Sequence, residues 1–216
     1  MSLDAALRQG AAELGLALAD DQVAQLLAYL DLIRKWNQVY NLTAVRDPAE
    51  MLSHHLLDSL AVVRPLQRQL EGRAARLLDV GSGAGLPGVV LAICLPELAV
   101  DCVDTVAKKA AFLQQVAAQL KLPNLRGVHD RVERLAGPYD VISSRAFASL
   151  ADFVTLSSQA LAEGGTWLAM KGKHPADEID ALPAAVALFH VEQLVVPGLK
   201  AERCVVWMRK SAATLT

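Results

Sequence analysis

The stretch Asp79-Val80-Gly81-Ser82-Gly83-Ala84-Gly85-Leu86-Pro87-Gly88 decides the fold. The apolar residues over 77–80 predict a short strand, and Pro87 opens an expected helix that runs to 95. The glycines therefore occupy a strand-to-helix turn. Glycine tolerates positive φ and lets a ligand approach the backbone with no Cβ in the way. In sheets built from such units, ligands bind beyond the carboxyl ends of the strands, near the first such turn.

Downstream of this turn, strands and helices alternate. Strands are expected over 98–103, 125–129, 139–143 and 166–170, and helices over 106–120, 150–161 and 176–188, the last with Pro183 as a bend. Glu163-Gly164-Gly165 turns the chain into the fifth strand. Two further β-rich runs, 190–196 and 203–208, are joined by Pro197-Gly198-Leu199-Lys200 and must pair antiparallel, because no helix separates them. The expected fold class is α/β: a Rossmann-like, doubly wound, mostly parallel sheet of seven strands with an antiparallel last strand.

Upstream, the first 75 residues read as helices only. Asp20-Asp21 offers an N-cap for a helix with apolar residues at Val23, Leu26, Leu27, Leu30 and Ile33. Tyr29, Trp36 and Tyr40 lie near that stripe and read as aromatics packed on a core. After a break at Asn41-Leu42-Thr43, Asp47 caps a second helix with Pro48 at its first position and Glu50 at its third. That helix runs through His54, His55 and Asp58 to about Val63, where Arg64-Pro65 loosens it. The domain reading is a helical extension over 1–75 packed on a core domain over 76–216.

The chain has 216 residues, 53% hydrophobic and 20% charged, which excludes a disordered polymer. No apolar run approaches the roughly 18 residues of a membrane span. The N-terminus lacks the basic and apolar regions of a signal peptide, so a soluble, cytoplasmic protein without a membrane partner is expected. Three cysteines, Cys94, Cys102 and Cys204, have no C-x-x-C spacing, which points to neither a disulfide framework nor a metal site. The formal net charge is −2. No global positive field draws the protein onto nucleic acid, and contacts to an RNA would have to be local.

The glycine spacing is G-x-G-x-G, with Leu86 where a dinucleotide fingerprint requires its third glycine. This spacing is usual in enzymes that use S-adenosylmethionine, where no pyrophosphate has to be held. Asp79 is placed to accept from the cofactor's ammonium, or to cap the loop from within. Asp104, at the end of the second strand, is placed to accept from a ribose diol, or to cap the next helix. Asp130, at the end of the third strand, reaches an adenine amino group or serves the turn. After the fourth strand stands Ser143-Ser144-Arg145-Ala146-Phe147, in place of the Asn/Asp-Pro-Pro-aromatic segment of enzymes that methylate exocyclic amines. There is no Pro-Cys pair for covalent catalysis. An acceptor that is already nucleophilic fits better.

Trp36-Asn37, Tyr40-Asn41-Leu42-Thr43, Arg46-Asp47-Pro48 and His54–Leu60 (HHLLDSL) resemble the helical N-terminal region of the RsmG (GidB) family of bacterial small-subunit ribosomal RNA guanine-N7 methyltransferases. The glycine loop, Arg131-Val132-Glu133, Ser144-Arg145-Ala146-Phe147-Ala148 and Met170-Lys171-Gly172 resemble it in the same order, from about Leu26 to Arg209. Thr105 departs mildly, standing where serine is expected. The resemblance implies S-adenosylmethionine as methyl donor and a guanine N7 of 16S ribosomal RNA as acceptor, naked or in the small subunit, with no metal. It places cofactor contacts at Gly81 and Leu86, at Val132-Glu133 and at Arg145, beside the candidates Asp79, Gly83 and Asp104.

Guanine N7 has an in-plane lone pair and no proton to lose, so no general base is required, and catalysis reduces to alignment and exclusion of water. Arg145 is the candidate catalytic residue, donating to guanine O6 or to a phosphate, or else pairing with Asp79 or Asp104. Lys171, Lys173 and Arg131 are candidate RNA contacts, with ordinary loop lysines as the alternative reading of the first two. Of His54 and His55, one is expected buried, one exposed, and neither a base. Nothing marks a dimer interface, so a monomer is the default. Three rival readings remain: a methyltransferase acting on a small molecule or a protein, a non-catalytic ribosome-assembly factor that holds the cofactor, and, with least support, a nicotinamide dehydrogenase.

Overall fold

The computed structural model describes residues 2–145 and 147–211. Ala146, part of the motif after the fourth strand, lies outside the described residues. The helical segment comprises α1 (Leu3–Glu13), α2 (Asp20–Tyr40), α3 (Pro48–Met51), a π-helical turn (Leu52–Leu57), α4 (Asp58–Leu60) and α5 (Val63–Leu70). Then follow β1 (Ala75–Val80), α6 (Gly88–Cys94), β2 (Leu98–Asp104), α7 (Ala107–Gln119), β3 (Leu125–His129), a 3-10 turn (Val132–Arg134) and β4 (Tyr139–Ser144). The chain closes with α8 (Leu150–Ser157), β5 (Leu161–Lys171), α9 (Ala176–Asp180), β6 (Val186–Leu194) and β7 (Arg203–Lys210).

The strands form one sheet in the order β3-β2-β1-β4-β5-β7-β6. β1 to β5 pair parallel, and β7 runs antiparallel between β5 and β6. This is the seven-stranded sheet with an antiparallel last strand that the sequence predicts. Because strand side chains alternate in direction, neighbours in β1 serve opposite layers. Leu77 joins the core beneath α2, α6 and α7 with Leu26, Val90 and Leu113. Leu78 joins the core on the other face with Ile142, Phe153 and Trp167. The first core also takes in Leu7, Leu30, Met51 and Leu60, so the helical segment and the sheet share one apolar layer.

Four local readings change. Helix α2 is capped at Ala19, whose N–H donates to the Gln22 side chain at 3.0 Å. Asp20 and Asp21 fall in its first turn, where acids complement the helix dipole. Pro65 does not loosen a helix: it sits in the first turn of α5, where its missing N–H would have had no partner. Helix α8 stops at Ser157, and Glu163-Gly164-Gly165 lie within the longer strand β5. The expected helix over 176–188 ends at Asp180, and β6 begins at Val186 after Pro183; proline cannot extend the helix ladder. The Asp47 cap holds as expected, accepting from Ala49 N–H at 2.9 Å and Glu50 N–H at 3.0 Å. Among the described residues no helix is long and apolar enough to cross a membrane.

Candidate functional site

The glycine loop leaves β1 at the carboxyl edge of the sheet. Gly81 and Gly83 have φ of 64° and 59°. A Cβ added at Gly81 would meet nothing within 4 Å, and one at Gly83 only a backbone oxygen at that limit. The loop is therefore open on its outer side and suited to a ligand lying against backbone. Its shape is held from three directions. Asp104, at the end of β2, accepts from Gly83 N–H at 3.0 Å with one oxygen and from Val106 N–H at 2.9 Å with the other. Tyr29 of α2 donates its buried hydroxyl to Ala84 O at 2.6 Å, so the helical segment braces the loop directly. Asp79, fully buried, accepts from Gly88 N–H at 3.1 Å and from the Ser143 hydroxyl at 2.8 Å.

These bonds occupy the inner capping positions that the sequence left open for Asp79 and Asp104. Asp104 also lies 3.5 Å from Lys109 Nζ. Asp130 accepts from Arg131 N–H at 2.8 Å and sits 3.8 Å from Arg134, as a turn residue does. Val132 is buried under the 3-10 turn, and Glu133 and Arg131 are exposed beside it. Leu86 packs its side chain into the core, which leaves its backbone as the part that can face a ligand.

A second feature adjoins the ends of β4 and β5. A cavity of about 430 Å³ is bounded by Thr43, His55, Asp58, Arg145, Lys171 and Arg203, among others. Half of this wall comes from the helical segment. Asn37, buried, accepts from Thr43 N–H at 3.0 Å and so anchors the loop after α2. The π-helical turn carries His54 and His55, and such turns are frequent at functional sites.

Arg145 pairs with neither Asp79 nor Asp104. It donates to His54 O at 3.0 Å and to Asp58 at 3.2 Å, and Arg203 donates to the other Asp58 oxygen at 2.9 Å. Lys171 is bound to Glu178 at 2.7 Å, and Glu178 also accepts from Leu150 N–H at 2.8 Å, so this glutamate ties α9 both to α8 and to the end of β5. Lys173 is exposed and has no ion pair among the described residues. His54 is partly exposed, whereas His55 is 3% exposed, as the division between the two histidines anticipated. Asp58 and Arg203 were missed as site residues. Asp58 carried a signal, a carboxylate in the leucine-rich run Leu56-Leu57-Asp58-Ser59-Leu60; Arg203, at a strand start, carried none.

Two buried groups titrate in opposite senses. Burial, seconded by the nearby Arg145 charge, pushes His55 down to about 4, so it is neutral at physiological pH. Burial pushes Asp79 up to about 6 against the pull of its bonds from Ser143 and Gly88. Between pH 6.5 and 4 the unfolded chain binds the His55 proton and the folded chain does not, so that contribution to stability falls on acidification. Between pH 6 and 3.8 the folded chain binds the Asp79 proton first, so that contribution rises. Each amounts to about 3 kcal/mol over its window, and the two nearly cancel. Relative to the unaltered protein, His55→Gln is expected to gain stability between pH 6.5 and 4.5 and Asp79→Asn to lose it, as measured by urea unfolding. Parallel pH profiles for all three proteins would contradict the assignment.

Comparison with known proteins agrees on one family. A family model for rRNA small subunit methyltransferase G (GidB) matches residues 22–206. The chain is 69% identical over 220 residues to the Ribosomal RNA small subunit methyltransferase G of Albidiferax ferrireducens, covering 97% of this chain and 98% of that one. It is 66% identical over 219 residues to that of Acidovorax ebreus, covering 98% and 97%. Among solved structures, TrmN from Thermus thermophilus shares the fold with a TM-score of 0.54, at 21% identity over 74% of this chain and 53% of the other.

Proposed function

This chain belongs to the rRNA small subunit methyltransferase G (GidB) family, and on that premise we propose that it transfers a methyl group from S-adenosylmethionine to N7 of a guanine in 16S ribosomal RNA. The observation that carries the reading is the pairing of an open glycine loop with a cation-lined cavity at the same edge of the sheet. In this reading residues 1–75 extend the 76–216 domain and supply one wall of its acceptor cavity.

The loop fits the cofactor: Gly81, Gly83 and the Leu86 backbone offer an open surface, and Asp79 and Asp104 keep it in shape. Val132 and Glu133 follow the third strand, placed for the adenine, and Arg145 lines the cavity. Bound S-adenosylmethionine supplies a methyl group activated by a sulfonium. The chain's own work is then positional. Guanine N7 presents a lone pair and holds no proton, so no side chain has to accept one. His55, neutral and bonded to the Thr43 hydroxyl at 2.9 Å, shapes the wall. Arg145 donates to O6 or to a neighbouring phosphate, leaving N7 free. The cavity holds the base in line with the donor's methyl group.

The experiment that tests this reading offers labelled donor to small ribosomal subunits, to naked 16S RNA and to a mixture of proteins and metabolites. Label in the RNA supports it. Label confined to protein or small molecules, or donor bound without turnover, overturns it. Two further outcomes are expected. Turnover changes little between about pH 7 and 8.5 because no base is titrated, whereas a steep rise across that range would mark a general base. Lys173→Ala weakens RNA binding a few-fold and lowers the slope of log affinity against log salt by about 0.7–0.9, one phosphate's worth. An unchanged slope would make Lys173 an ordinary loop residue.

A further inference from the structure

Asp58 has no part in the mechanism above, yet it is the most enclosed charge at the cavity. Its side chain is 2% exposed and lies between two guanidinium groups, Arg145 and Arg203, that are 27% and 23% exposed. A carboxylate this far from water persists only if its partners hold it in good geometry. The bonds run both ways: Asp58 equally fixes two long, flexible side chains that come from distant parts of the chain, the end of β4 and the start of β7.

The donor count shows what this leaves available. A guanidinium has five N–H donors. Arg145 commits NH1 to Asp58 and to His54 O, and Arg203 commits Nε to Asp58 and NH1 to Glu202 O. Nε and NH2 of Arg145 and NH2 of Arg203 have no partner among the described residues. The charge count is equally definite. Asp58 with two arginines carries +1, Lys171 is neutralised by Glu178, and His55 is neutral.

We propose that Asp58 is a positioning residue that sets Arg145 and Arg203 side by side as a seat for one phosphodiester of the RNA substrate, rather than for the target base. The proposal rests on the RNA reading given above and narrows it. One phosphodiester carries −1 and brings the cluster to neutrality, and paired guanidinium donors match its oxygens. The base is the poorer occupant. Methylation at N7 moves the donor's positive charge onto the purine, and two cations donating to O6 would withdraw electron density from N7 and repel the charge as it arrives.

The test compares the full-length protein with Asp58→Asn, Asp58→Glu and Arg203→Gln, using small ribosomal subunits as acceptor over a salt series, with donor binding followed by calorimetry. Asp58→Asn is expected to raise KM for the RNA more than about tenfold. Its kcat changes much less and its donor affinity is unaltered, and Asp58→Glu restores part of the KM. Arg203→Gln, altered at a partly exposed position, is expected to flatten the salt dependence by about 0.7–0.9 in log–log slope. A fall in kcat at constant KM for Asp58→Asn, or a full slope in Arg203→Gln, overturns the proposal. If Asp58→Asn does not fold, the Arg203→Gln slope alone decides. Failure of the unaltered protein to methylate RNA overturns the functional reading itself, a result visible before any variant is made.

Discussion

Replacing Arg145 by alanine is expected to lower kcat/KM for the RNA by about 100-fold or more while leaving donor binding within a few-fold. Losing one partner of a desolvated charge pair costs about 2–5 kcal/mol, enough for a loss of that size. Arg145 is held by Asp58 at 3.2 Å and His54 O at 3.0 Å, so its position is set before any substrate arrives. The fold should survive. Breaking a buried ion pair costs about 3–5 kcal/mol when it leaves a bare charge, but Asp58 keeps Arg203 at 2.9 Å, and Arg145 is itself partly solvated. A stability loss of about 1–2 kcal/mol is expected. Single-turnover kinetics with calorimetric donor binding check both halves, and a variant with full activity would remove Arg145 from the mechanism.

The second large effect lies in the glycine loop. A Cβ at Gly88 would overlap Cys102 Sγ and come within 2.9 Å of Asp79 Oδ2. It would part β1 from α6 at the point where Asp79 holds the Gly88 N–H. Gly88→Ala is therefore expected to lose about 2–3 kcal/mol, the usual range for overpacking a dense core. In a chain of this size that is a fall in Tm of roughly 5–10 °C. Donor affinity should fall more than about tenfold, because the loop shape depends on the Asp79 bond. Removing the obstructing sulfur by Cys102→Ala in the same protein should recover part of the stability. Calorimetry of the single and double variants decides, and no recovery would mean that the clash is not the cause.

The parts of the fold legible in the sequence were those written locally. The alternation of apolar strands with helical stretches between 77 and 170 is a local pattern, and the glycine spacing marks one turn by its own chemistry. The Asp47-Pro48 cap needs no partner beyond its own first turn. What failed was not local in cause: 176–188 has helical periodicity, but pairing with β7 claims the chain from Val186 onward for the sheet. The cavity was only half legible. Its residues lie at 43–58, 145, 170–172 and 203, and no spacing rule joins them. Asp58 and Arg145 are 87 residues apart, Asp58 and Arg203 145 apart. Their pairing is a property of the sheet order, which brings the starts and ends of β4, β5 and β7 to one edge beneath the helical segment.

The account stands or falls on which atom receives the methyl group. Digestion of the methylated 16S RNA to nucleosides, with chromatography and mass spectrometry against standards, tests this directly. The prediction is a single product, 7-methylguanosine, formed at one site per subunit. Label on an exocyclic amine, a ring carbon or a ribose hydroxyl would contradict it, since each of those acceptors loses a proton on methylation and N7 does not.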